Sequence, residues 1–282
     1  MSLRNARRNT INNVMLTLCG LCAFLTVSTL FLILGYLVYN GGKSVNWAFF
    51  TRLPLPPGQD GGGLANAIAG SAMIVGMAAA IGLPVGFLAG VYLAEFGGKT
   101  ISFWIRYTAD LLNGIPSIVI GILAWGLIVV SMHRFSAIAG SIALSLMLIP
   151  ITARSTEHFL LEVPRAMREG ALALGATRWR TLATVIVPAA RKGIMTGMIL
   201  GVARISGETA PLLFTALNNQ FWSNGPMDQT ASLPVMIYTL ALSPYDDWHR
   251  QAWAAGLVLL GLVLLATITA RMIVSRGASL PR

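Results

Sequence analysis

The sequence predicts an all-α integral membrane protein with six transmembrane helices, both termini in the cytoplasm and one large polar loop on the cytoplasmic side. Three observations lead there. The 282 residues are 55% hydrophobic and only 11% charged, with a mean hydropathy of +0.71, far from the composition of a soluble domain. Six apolar segments lie near 14–39, 68–94, 109–131, 136–154, 193–217 and 252–274, each close to the roughly 20 residues that a hydrocarbon core of about 30 Å requires. Between the fourth and fifth lies a polar, basic island from Thr156 to Lys192.

The first segment follows Arg4, Arg7 and Arg8, and its apolar run is too long for a signal-peptide core, so it reads as a retained span. Cys19 and Cys22 lie inside it without His or acidic neighbours and read as small core residues, not a redox or metal pair; no metal site is expected in the chain. Residues 40–66 form an external loop rich in Gly and Pro, with Trp47, Phe49 and Phe50 placed to touch the membrane surface.

In the second segment, Gly82, Gly86 and Gly90 repeat the G-x-x-x-G spacing that lets another helix approach closely, and Pro84 predicts a bend. Gly98-Lys99-Thr100 imitates the end of a phosphate-binding loop, but the first glycine of that motif would fall on Leu93 and no strand precedes it, so ATP must act through another protein. Within the third segment, Pro116 and Ser117 predict a kink whose freed carbonyl is satisfied locally by a group such as the Ser hydroxyl. Asp110, at its cytoplasmic boundary, is assigned no role.

The island reads as two short helices around a turn. Pro164 suits a helix start and Gly175 the left-handed position just past its end. Ala166, Gly170 and Ala173 share one nearly bare face, which invites close approach by a partner. A second helix is expected from Thr177, as N-cap, to a break at Pro188.

The fifth segment repeats the glycine spacing at Gly193, Gly197 and Gly201, and Arg204 and Glu208 continue that stripe toward the bundle interior or a water-filled path. Arg204 lies 11 residues beyond Gly193, or about 16 Å along a helix, near mid-membrane. A central Arg costs about 2.5–3.5 kcal/mol to insert and needs a partner. Two readings stand: a structural ion pair with Glu208, or a path for an anion. A guanidinium holds phosphate oxygens through a planar fork of donors and never loses its proton, while a nearby carboxylate keeps the anion from binding too tightly to leave.

Of the 20 Lys and Arg residues, fifteen fall on the side of the N-terminus and the island, whereas Lys43, Arg52, Arg134 and Arg250 fall on the other and Arg204 lies within a span. This bias places both termini and the island in the cytoplasm. The net charge of +10 is accounted for by topology, and nucleic acid is not an expected partner.

Two sets of residues carry a family resemblance. Glu169-Gly170-Ala171, three residues, Gly175, nine residues and Val185-Ile186-Val187-Pro188 resemble the ABC importer permease loop Glu-Ala-Ala, three residues, Gly, nine residues, Ile-x-Leu-Pro; Gly170, Val185 and Val187 are the departures. The run from Ala203 to Leu213, with Asn113 to Val119, Ser232 to Tyr238 and Gln251 to Ala255, resembles the A-type permease of phosphate-specific ABC importers.

The resemblance implies three regions: 1–64, a cytoplasmic tail, first span and external loop; 65–275, the importer transmembrane domain with coupling loop 156–192; and 276–282, a cytoplasmic tail. It further implies a homologous C-type permease, two cytoplasmic ATPase subunits that bind the ATP and Mg, an extracytoplasmic phosphate-binding protein, inorganic phosphate as cargo, and no cofactor in this chain. Glu169 to Gly175 would dock on the ATPase, Arg204 would lie on the phosphate path with Glu208 beside it, and transport would proceed by alternating access. Sulfate, molybdate or phosphonate is the nearest alternative cargo, because the soluble binding protein often selects the oxyanion. A secondary anion transporter would be expected to show inverted repeats with paired broken helices, and none is evident. A purely structural scaffold leaves the buried Arg unexplained.

Overall fold

The computed structural model describes residues 3–59 and 61–276, and among these the chain is helical with no strand. α1 (Leu3–Gly41) is followed by the short α2 (Trp47–Thr51) and by α3 (Ala65–Val91), which runs on through a π-helical turn, Tyr92–Phe96. α4 (Lys99–Gly114) and α5 (Ser117–Ala124) come next, then a second π turn, Trp125–Val129, and α6 (Val130–Met132). α7 (Ala137–Leu161) leads to the island helices α8 (Arg165–Ala173) and α9 (Arg178–Thr181). After a third π turn, Leu182–Ile186, come α10 (Val187–Ser206), α11 (Ala210–Thr215), α12 (Leu233–Ala241) and α13 (Asp246–Arg276).

Five of the described helical runs are long and apolar enough to cross a membrane, and the bent pair Lys99–Gly114 and Ser117–Met132 makes a sixth if it is one span. α7 is the centre. Of its apolar window 67% is buried, against 33% for α3 and 22% for the run Arg178–Ser206. Its two faces receive the two glycine stripes. A Cβ added at Gly86 would come within 2.6 Å of Thr152 Cβ, and one at Gly90 within 2.5 Å of the Ala153 carbonyl oxygen; Gly82 lies on Leu148. From α10, Gly193 lies on Phe159, Gly197 on Ser155 and Gly201 on Leu148 and Ile151. Lipid tails are as apolar as Leu, so such helices associate through close backbone approach and dispersion, which only small residues permit.

The third span differs from the kinked helix expected over 109–131. The chain turns by 104° between α4 and α5, because Ile115 and Pro116 are both extended, with ψ 135° and 136°. Proline forces the residue before it out of the helical region, and the preceding helix ends there. The Ser117 hydroxyl makes no hydrogen bond to a freed carbonyl; instead the Ile115 amide donates to Leu111 O (3.0 Å) and the Val119 amide to Pro116 O (3.0 Å). α4 is thereby a separate amphipathic helix with Phe103, Trp104 and Tyr107 clustered on its uncovered face.

Two smaller expectations are also corrected. Phe49 does not touch the membrane surface but is 1% exposed, buried with Leu64, Leu233 and Met236, while Trp47 is 81% exposed. Cys19 and Cys22 are exposed on α1, not in the core of this chain. α1 meets the rest of the chain at its C-terminal end, where Tyr36 and Trp253 pack edge to face at 5.2 Å and a Cβ on Gly41 would strike the Trp253 carbonyl at 2.6 Å.

Gly90→Ala puts a methyl against a backbone oxygen that cannot yield and should cost about 1–3 kcal/mol. Gly76→Ala on the same helix meets nothing within 4 Å and should be neutral or slightly stabilising. Unfolding midpoints of the two detergent-solubilised variants check the contrast; equal midpoints would remove close packing as the reason for the stripe.

Candidate functional site

The island folds around α8. Pro164 occupies the N-cap with φ −55°, and the Met167 amide donates to Pro164 O (3.1 Å). At the other end Gly175 has φ +81°. Its amide donates to Leu172 O (3.0 Å) and the Ala176 amide to Ala171 O (3.2 Å), the paired bonds of a Schellman ending. Glu169 and Gly170 are exposed, Ala171 is half-buried, and a Cβ on Gly170 would meet nothing within 4 Å. No residue of α8 is buried. Among the charges Arg165, Arg178 and Arg180 stand uncovered apolar side chains: Leu174 is 90% exposed and Trp179 63%. Exposed apolar groups rimmed by charge mark a surface that meets a protein or a membrane.

Thr177 caps α9, its hydroxyl accepting from the Arg180 amide (3.3 Å). The expected break at Pro188 does not occur: the helical run continues from Arg178 to Ser206. Pro188 has no N–H to donate four residues back and its ring crowds that carbonyl. The π turn at Leu182–Ile186 resets the register just ahead of it, so the chain passes the proline at a helix start, where it is tolerated.

Arg204 and Glu208 are not on one helix. α10 ends at Ser206 with Gly207 as C-cap, and Arg204 lies in its last turn. Pro211 cannot donate to the Gly207 carbonyl, so an α-helix running through it would lose that bond and clash. The stripe that buries α10 runs through Ala190, Ile194, Gly201 and Ile205, and Arg204 falls beside it, exposed, while Glu208 is half-buried. Neither side chain has an ion-pair or hydrogen-bond partner among the described residues. The ion-pair reading of this couple is therefore not what the structure holds.

Beyond Glu208 the chain re-enters as α11, an irregular stretch and α12. α11 seats against α5, where Gly121 lies so near Pro211 Cα that a Cβ would sit at 2.7 Å. The stretch that follows caps α7. The Ala137 and Ile138 amides donate to Asp228 O (3.1 Å) and Pro226 O (3.0 Å), and Ala139 donates to the Ser136 hydroxyl (3.2 Å), so the orphan donors of that helix end are satisfied. Asn66 donates to Asn219 O (2.7 Å), and the Ser71 hydroxyl accepts from the Leu233 amide (2.7 Å).

The structure also reveals a charged cluster that sequence reasoning missed. Glu157 is 3% exposed on α7. It accepts from Arg106 (2.6 Å) and Arg154 (2.9 Å), and Arg154 reaches Asp110 at 3.1 Å. Asp110 thus makes an exposed ion pair between α4 and α7. The Arg154–Glu157 spacing was a legible helical signal; the partners on α4 were not.

Residues 82–278 match the family model described as "Binding-protein-dependent transport system inner membrane component". The chain is 43% identical to the phosphate transport system permease protein PstA of Yersinia pestis, over 97% of this chain and 93% of that one. It is also 43% identical to PstA of Haemophilus influenzae, with 96% of each covered. A chain of a bacterial alginate ABC transporter, crystallised with an alginate pentasaccharide-bound periplasmic protein, superposes with a TM-score of 0.66 over 99% of both chains at 14% identity, a likeness of fold alone.

Gly175→Ala places a side chain in the left-handed region at a cost of about 1–2 kcal/mol, which should speed amide exchange at the end of α8 roughly 5- to 30-fold. Ser71→Ala leaves the buried Leu233 amide without an acceptor and should cost about 1–3 kcal/mol. Ser71→Thr, which keeps the oxygen, should not; unfolding midpoints compare the two.

Proposed function

The chain belongs to the family of binding-protein-dependent transport system inner membrane components, within the phosphate transport system permeases, and from that membership we propose that it is the A-type permease subunit of an ATP-driven importer of inorganic phosphate. It resides in the cytoplasmic membrane and is not an enzyme; ATP is hydrolysed by a separate subunit. The observation that carries the reading is Arg204, a cation beside the buried stripe of an apolar span with no partner among the described residues of its own chain. An unpaired guanidinium at such a place is costly, and an oxyanion supplies the bidentate acceptor it lacks. Glu208 stands in the break just beyond the helix. There it lowers the affinity of the site for an anion, so that phosphate leaves as readily as it enters.

The partners in this reading are a C-type permease, two cytoplasmic ATPase subunits and an extracytoplasmic phosphate-binding protein. Two observations support them. The uncovered apolar group of Met167, Leu172, Leu174 and Trp179 offers an ATPase a docking surface around Glu169–Gly175, and α1 is uncovered over most of its length. The basic bias places both termini and this surface in the cytoplasm. ATP and its Mg belong to the ATPase, and this chain holds no cofactor. Closure of the ATPase dimer moves α8 as a lever, and the path opens alternately to each side.

Uptake of labelled phosphate and labelled sulfate into cells lacking their own copy tests this. The native chain should restore energy-dependent phosphate uptake, and Arg204→Gln at equal membrane level should lose about tenfold or more, the equivalent of one charge-assisted hydrogen bond. Unchanged phosphate uptake in that variant would reduce Arg204 to packing. Restored sulfate uptake instead would keep the importer and discard the cargo.

A further inference from the structure

One side chain gives α8 its directional bonds to the helices around it. Arg168 is the only residue of that helix with a side-chain hydrogen bond or ion pair among the described residues: its guanidinium pairs with the Glu95 carboxylate and donates to the Leu160 carbonyl. The two side chains are 20% and 17% exposed, so the pair is shielded from solvent.

Glu95 sits in an unusual place. It belongs to the π turn Tyr92–Phe96 that closes α3, two residues before Gly97-Gly98 and the start of α4. That corner is tightly built, since a Cβ on Gly97 would strike Ser102 Oγ at 1.9 Å. Across a cavity of about 180 Å³ lined by Glu95, Arg168 and Ile186 lies a second of the three π turns, Leu182–Ile186, which opens the α10 run. α8 is therefore flanked by the two places where the glycine-striped helices depart from α-helical register, and π turns recur where helices do mechanical or chemical work.

We propose that Glu95 and Arg168 are the positioning pair that hands movement of the coupling helix to the α3–α4 corner. This rests on the importer reading above. From the corner, α4 leads through Pro116 to α5, and α5 bears on Pro211, three residues beyond Glu208. Without the pair, α8 follows the ATPase while α3 and α4 stay behind. Exposed, flexible contacts along the rest of α8 cannot substitute, because none of them ends in a directional bond.

The test uses the complete importer, this chain with its partner subunits, in lipid vesicles. Spin labels at Thr100, in the corner, and at Gln220, on the far side, report whether the corner moves between the nucleotide-free and ATP-trapped states. The native complex should show a change in that distance, Glu95→Gln should not, and the exchange of Glu95→Arg with Arg168→Glu should recover it. In the same vesicles, phosphate moved per ATP hydrolysed should fall at least about fivefold in Glu95→Gln, the low end of ordinary coupling energies, with hydrolysis itself little changed. A distance change in Glu95→Gln equal to that of the native complex, no change in either, or uptake and hydrolysis falling together would overturn the pair's role. Failure of the cargo assignment looks different: the native complex then moves its corner on ATP trapping yet accumulates no phosphate.

Discussion

α3 and α10 lean on α7 from two sides so closely that several of their glycines leave no room for a methyl group. This contact sets the rest of the molecule. In a membrane the hydrophobic effect does not drive helices together, so what binds them is the dispersion gained when backbones meet, and that gain disappears with a single added side-chain atom at Gly86 or Gly90. Both ends of α7 are then available to organise other parts. Its start is capped by carbonyls of the re-entrant stretch, and its end carries Glu157 and continues into the loop that bears α8.

Charge is distributed in keeping with that arrangement. At the end of α7 near the island, each acidic group between helices is matched: Glu157 by two arginines, Asp110 by Arg154, and Glu95 by Arg168. Glu157 and Glu95 are shielded carboxylates that cost too much to leave alone, and their pairs fasten α4 and α8 to the central helices, whereas Asp110–Arg154 is an exposed pair and contributes less. Arg204 and Glu208 have no such partner among the described residues. In the importer reading, the same physics that closes the other charges off would make this open guanidinium in an apolar span a place for an anion.

Between the close-packed centre and the island lie elements that break helical register: the π turns of α3 and of the α10 run, and the corner at Pro116. A close-packed three-helix centre cannot deform gradually, so motion has to be taken up where backbone hydrogen bonding is already irregular. The fold thereby sets a close-packed centre beside segments of irregular helical register, and α8 lies against two of them.

By itself the sequence determined what depends on composition and local spacing. Apolar run lengths specified most of the spans, the four-residue glycine period specified which faces pack, and Pro164 with a left-handed Gly175 specified the start and end of α8, because a helix end and a bare helix face are dictated by residues within one or two turns. Only the tertiary structure decided what those residues meet. Arg204 and Glu208 keep helical spacing on paper, yet Gly207 and Pro211 end the helix between them and the re-entrant chain seats on α5 instead. Pro188 reads as a break, yet a π turn absorbs it; Pro116 reads as a kink, yet two extended residues make it a corner. Phe49 reads as a membrane-surface group and became a core residue, and Asp110, assigned no role, pairs with Arg154, since their partners lie far away in the chain. Proline and charge have local costs that a sequence displays, but whether a neighbour offsets them depends on contacts that form only when the helices pack.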